Sequence, residues 1–81
     1  MTRQEIIEKL NCVFEEVFDD DSITVTDATT ANDIDGWDSL AHLTLISSVE
    51  EAFEIEFSLG EINGFNNVGE MLDSIARHLD R

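Results

Sequence analysis

The sequence predicts an all-α fold, a small bundle of three main helices plus one short helix. Three observations predict it. Apolar residues recur at helical spacing in three separate stretches. A residue type that caps helices stands at the start of each stretch. Strand-like alternation is confined to Ile55-Glu56-Phe57, too short to nucleate a sheet. The 81 residues make a single domain, 1–81, with one modest core. A deep active-site cleft is hard to build at this size, which argues against a self-sufficient enzyme.

The first helix begins at Thr2, where Thr2-x-x-Glu5 reads as a capping box. Ile6, Leu10, Val13, Phe14 and Val17 then form one stripe, with Glu5, Glu8, Glu15 and Glu16 opposite. On that wheel Cys12 points away from the core. Residues 19–37 form a long connection rich in turn formers, with Ile23, Val25, Ile34 and Trp37 available to pin it. The second helix has Asp38 as its N-cap and Ser39 in its first turn, and runs to about Phe53. Leu45, Ile46, Val49 and Phe53 are its tightest stripe. Gly60 and Gly64 bracket a stretch that predicts one loose turn, anchored by Leu59, Ile62 and Phe65. The last helix begins at Asn67, where Asn67-x-x-Glu70 reads as a second capping box. Val68, Leu72, Ile75 and Leu79 face the core, with Met71 at the edge. Arg77, His78 and Arg81 sit near the C-terminal end, where cations suit the helix dipole.

Nineteen acidic residues stand against four basic ones, a formal charge of −15. Such a field repels nucleic acid and anionic membranes and attracts basic protein patches and divalent cations. With 42% hydrophobic residues the chain folds instead of remaining disordered. Crowding of carboxylates on so small a surface predicts self-repulsion, with raised carboxylate pKa values. Cys12 is the only cysteine, so no internal disulfide and no thiolate metal cluster forms. No signal-like or membrane-spanning run is present, and the expectation is a monomer in the cytoplasm. The acidic stretch from Asp19 to Asn32 lacks the order of an EF-hand loop, so no dedicated metal site is expected.

A serine in the first turn of a helix is ordinarily a capping residue. The segment Asp33-Ile34-Asp35-Gly36-Trp37-Asp38-Ser39-Leu40, followed by Leu45-Ile46-x-x-Val49-Glu50-Glu51-x-Phe53, nevertheless resembles the acyl carrier protein family. The resemblance extends over nearly the whole chain, in order and spacing of helices. It implies an acyl-carrier-like bundle that is a substrate of other enzymes and not a catalyst. It implies a 4′-phosphopantetheine arm, delivered from coenzyme A and attached to Ser39, on which acyl groups ride as thioesters. It implies as partners a phosphopantetheinyl transferase (holo-acyl-carrier-protein synthase), with Asp38 helping to hold Mg²⁺ in that complex, and acyl-transferring, condensing or modifying enzymes with basic docking patches. The physics agrees, since a helix N-terminus stabilises a phosphodiester.

Leu40 and Leu43 point away from the core stripe of the second helix and, with Glu50, Glu51 and Glu54 as an acidic rim, read as a docking surface. Burial of the two leucines under the long loop is the other reading. Ala41 and Thr44 stand where fatty-acid-synthesis carriers usually have acids, and Ser47 where they often have methionine. Gly36-Trp37-Asp38-Ser39-Leu40-Ala41-His42 looks more like carriers of specialised, polyketide-like pathways than of primary fatty acid synthesis. His42 packs near Trp37 on one reading and touches a phosphate on Ser39, or responds to pH, on another. Three further functions compete: a peptidyl or aminoacyl carrier with the same arm, an acidic helical adaptor without cofactor, and a small hydrolase using Ser39, for which no base and oxyanion hole can be assembled.

Overall fold

The computed structural model describes residues 1–80. Among these, four α-helices and one 3₁₀ turn follow in order: α1 Arg3–Phe18, the turn Ala31–Asp33, α2 Ser39–Phe53, α3 Leu59–Gly64 and α4 Val68–Leu79. Arg81, expected near the last helix's end, lies outside the described residues.

The helix starts follow local chemistry. The Thr2 hydroxyl accepts from the Glu5 amide at 3.2 Å while the Glu5 carboxylate accepts from the Thr2 amide at 2.7 Å, so two orphan donors of α1 are satisfied reciprocally. At α4 only half of the expected box forms. Asn67 caps the Glu70 amide, but the Glu70 carboxylate turns to the backbone and side chain of Asn66 instead of the Asn67 amide. α1 and α2 each stop at a residue in the left-handed region, Asp19 with φ 51° and Glu54 with φ 56°. Both reverse the chain without glycine.

α1 packs on α2 and α4. The core between them holds Ile6, Leu10, Val13 and Phe14 from α1, Leu45, Ile46, Val49 and Phe53 from α2, and Val68, Leu72 and Ile75 from α4. These are the expected stripes, and Cys12 is exposed on the far side of α1 as its wheel position requires. Met71 is a correction. It is fully buried as part of the core cluster, against which Trp37 and Phe65 pack. The short segment is also more regular than a loose turn. Ser58 and Glu61 form a capping box that turns residues 59–64 into a helix around Gly60. Its anchors are Ile62 and Phe65; Leu59 is 77% exposed, because it falls on the outer side of that helix.

Residues 19–38 are tied down at several points. Val25 is buried, and its amide donates to the Asn11 side-chain oxygen at 2.7 Å. The other end of the Asn11 amide donates to the Ile7 carbonyl at 3.0 Å, which holds it in place on α1. Further along, the carbonyls of Asp27 and Thr29 accept from the amides of Gly69 and Val68 at 2.9 and 2.8 Å. The loop thus caps α4 with its own backbone. A Cβ on Gly69 would lie 2.9 Å from the Asp27 carbonyl oxygen, so only glycine permits the approach. Arg3 spans the same junction, reaching Asp27 at 2.9 Å and Asp73 at 2.8 Å. That bridge is exposed and contributes little alone.

Where a carboxylate is clearly shifted, it is shifted down, against the expectation of raised values. The backbone amide of Thr2 lowers Glu5, and the hydroxyl and amide of Ser22 lower Asp20. The Ser58 amide, helped by His78 and the Ser58 hydroxyl, holds Glu61 at about 2 against the opposing effect of burial. Local donors satisfy these acids before distant like charges act. The sign for Glu61 follows: its stabilisation is present above the ordinary value of 4.5 and is lost as pH falls toward about 2. Thermal melts of wild type and Glu61→Gln are therefore expected to differ most at neutral pH and to converge as pH approaches 2.

Candidate functional site

The start of α2 is built by the four residues before it. Gly36 adopts φ +86°, a conformation strained for any side chain, and reverses the chain so that Trp37 turns inward. The indole meets Phe14 edge-on at 5.3 Å between ring centroids and Phe18 at 6.1 Å. With Trp37 fixed, Asp38 falls at the N-cap. Its carboxylate accepts from the Ala41 amide at 2.8 Å and its carbonyl from the His42 amide at 2.8 Å. The amides of Ser39 and Leu40 lie in the first turn, where no intrahelical acceptor exists. Ser39 is exposed, and its hydroxyl makes no hydrogen bond among the described residues.

Beside Ser39 lies a cleft of about 530 Å³ between the start of α2, α3 and the start of α4. Trp37, Leu43, Ile62, Phe65 and Met71 give it apolar walls, and Asp38, Ser39 and Asn63 are among its polar lining. His42 links its two sides. The Trp37 Nε1–H donates to His42 Nδ1 at 3.0 Å, and His42 Nε2 lies 3.1 Å from the Ile62 carbonyl oxygen. His42 packs beside Trp37, as one of its two readings expects.

The expected docking residues separate into two sets. Leu40 is 75% and Leu43 60% exposed, next to Ser39 on the outer face of α2. Glu51 and Glu54 are exposed on that face too. Glu50 is a correction. It is half-buried, and its carboxylate accepts from the Phe57 amide at 2.8 Å, because the reversal at Glu54 brings the chain back across the end of α2. Glu50 closes that turn and does not serve as a free rim charge. Among the described residues no group of three or more His, Cys, Asp or Glu is placed to hold a metal ion.

A family model for the phosphopantetheine attachment site matches residues 3–75. An acyl carrier protein of Guillardia theta is 37% identical over 78 residues, 95% of this chain and 95% of that protein. The chain belongs to the acyl carrier protein family. The solution NMR structure of a holo acyl carrier protein from Geobacter metallireducens agrees with this fold at a TM-score of 0.87, with 48% identity over 93% of this chain and 86% of that one. The family is one of carriers and not of catalysts, and its cofactor is covalently attached 4′-phosphopantetheine. The residues at the start of α2 fit such a group: a reachable hydroxyl, two helix-start amides for the phosphodiester, and an open cleft alongside.

Proposed function

We propose that the single domain of residues 1–81 carries acyl groups on a phosphopantetheine arm attached to Ser39. The observation that supports this is the exposed Ser39 hydroxyl at the capped start of α2, on the rim of the cleft. When bound, the arm supplies a terminal thiol that holds acyl groups as activated thioesters. The chain's own residues do the rest. The Ser39 and Leu40 amides, with the positive end of the helix dipole, stabilise the phosphodiester. Asp38 keeps the helix start rigid and would help to hold Mg²⁺ in the complex with a phosphopantetheinyl transferase. The cleft gives an acyl chain an apolar surface near its point of attachment.

Partner enzymes approach the outer face of α2, since the arm has to enter their active sites. Leu40 and Leu43 offer apolar contact there, and Glu51 and Glu54 favour a basic patch on the partner. Ala41 and Thr44 leave that face less acidic in its first half than primary fatty acid carriers are, and Ser47 stands where those often have methionine. This supports specialised, polyketide-like acyl biosynthesis as the setting. An exposed lone Cys12 suits a reducing cytosol. No helix among the described residues is long and apolar enough to cross a membrane.

Incubated with coenzyme A, Mg²⁺ and a broad-specificity phosphopantetheinyl transferase, wild type is expected to gain the mass of one arm. Ser39→Ala is expected to gain none while keeping its helical circular dichroism. An arm found on Ser47, Ser48 or Ser58 would refute the assignment. On the docking face, Leu43→Ala is expected to speed dissociation from the transferase at a stability cost below about 1 kcal/mol, as for an exposed residue. Reversal of Glu51 and Glu54 to Lys is expected to slow association, most strongly at low salt. Kinetics unchanged by both would place docking elsewhere on the domain.

A further inference from the structure

The pair Trp37 and His42 brackets Ser39, two residues before it and three after. An indole N–H is a donor only. His42 Nδ1, 3.0 Å from it, must therefore present a lone pair. In the neutral ring the proton then sits on Nε2, which donates to the Ile62 carbonyl at 3.1 Å. The two ring planes lie within 22° of one another at a centroid distance of 6.0 Å, the arrangement of an in-plane hydrogen bond and not of face-to-face stacking. In the imidazolium both nitrogens donate, so Nδ1–H would confront Nε1–H and the Trp37 bond would be lost, while the bond to Ile62 would persist.

We propose that His42 is a positioning residue: neutral and protonated on Nε2, it fixes Trp37 across the start of α2, sets the presentation of Ser39 and shapes the adjoining cleft, and its protonation releases that bracket. The part concerning Ser39 rests on the attachment reading above. The charged surroundings of His42 are sparse. Asp38, at the start of its own helix, is the one charged side chain sharing the cleft lining with it. From α3 come Ile62 and Asn63, from α4 Met71, and α1 reaches the pair only through Phe14 and Phe18 against Trp37. The nearby acids of α3 and α4 are engaged elsewhere, Glu61 with Ser58 and His78, Glu70 with Asn66.

Trp37 is the only tryptophan and the chain has no tyrosine, so intrinsic fluorescence reports this bracket alone. The full chain is titrated from about pH 8 to pH 5, the range in which histidine changes charge. Wild type and His78→Gln are expected to show one sigmoidal change in Trp37 emission; His42→Gln and His42→Phe are expected to show none. At constant neutral pH, His42→Phe is expected to raise the KM of the carrier for a phosphopantetheinyl transferase about three- to tenfold, the worth of one neutral hydrogen bond, with kcat unchanged. His42→Gln, which can still accept from the indole, is expected to recover part of that loss. A flat wild-type titration, or a sigmoid that survives in both His42 variants, would overturn the proposal. A KM unmoved in His42→Phe would overturn the link to Ser39. If even wild type gained no arm, the attachment reading would fail and take that link with it, while the titration would still decide the bracket.

Discussion

The constraint on which this fold depends is the anchoring of the long α1–α2 connection. Residues 19–38 cross the bundle with only one 3₁₀ turn of regular structure. Left loose, such a stretch would let the start of α2 wander. It is held instead by backbone hydrogen bonds, Val25 to Asn11 and Asp27 and Thr29 to the first turn of α4, and by the packing of the Trp37 ring on α1. Each hydrogen-bonded tether satisfies a polar group that would otherwise be costly where it is shielded from water. The loop supplies acceptors to α4's first amides, and α4 supplies Gly69, the one residue type that lets the loop come that close.

The tethers make the functional edge of the molecule rigid on one side and adaptable on the other. α2 is pinned by the core through Leu45, Ile46, Val49 and Phe53, and its first turn by Asp38 and the Trp37–His42 pair. α3 has no buried residue. It leans on the core through Ile62 and Phe65, and its side-chain bonds to other helices run to two histidines, His42 on α2 and His78 on α4. A cleft with one firm wall and one light wall suits a carrier that must expose its cargo to other enzymes. The acidic surface is compatible with this economy because its most shifted carboxylates are held first by local amides and hydroxyls, with His78 adding to the hold on Glu61.

The parts of this arrangement legible in the sequence are those decided within a turn or two of chain. Thr2, Asp38 and Asn67 cap the helices they were expected to cap, and α2 ends at Phe53. The exposure of Leu40, Leu43 and Cys12 follows from the helical wheel. What was not legible depends on chain reversal or on contacts across the fold. Glu50 looks like a surface acid on the wheel, but the turn at Glu54 brings the Phe57 amide to it. Asn11 reads as a polar residue at the edge of a stripe, yet its partner lies 14 residues away. Met71 is buried by elements whose positions its own helix does not encode. A polar residue flanking an apolar stripe, and a glycine in the first turn of an otherwise well-formed helix, are the signals that would have pointed to Asn11 and Gly69.

If the tethered loop presents Ser39 as the site of the arm, modification requires no movement of the scaffold. Amide chemical shifts of the chain before and after modification test it most directly. The largest changes are expected on Ser39 and Leu40, with smaller ones around the cleft at His42, Ile62 and Asn63. The amides of Val25, Val68 and Gly69 should stay where they are. Largest changes centred on another serine, or a general displacement that includes the tether amides, would contradict it.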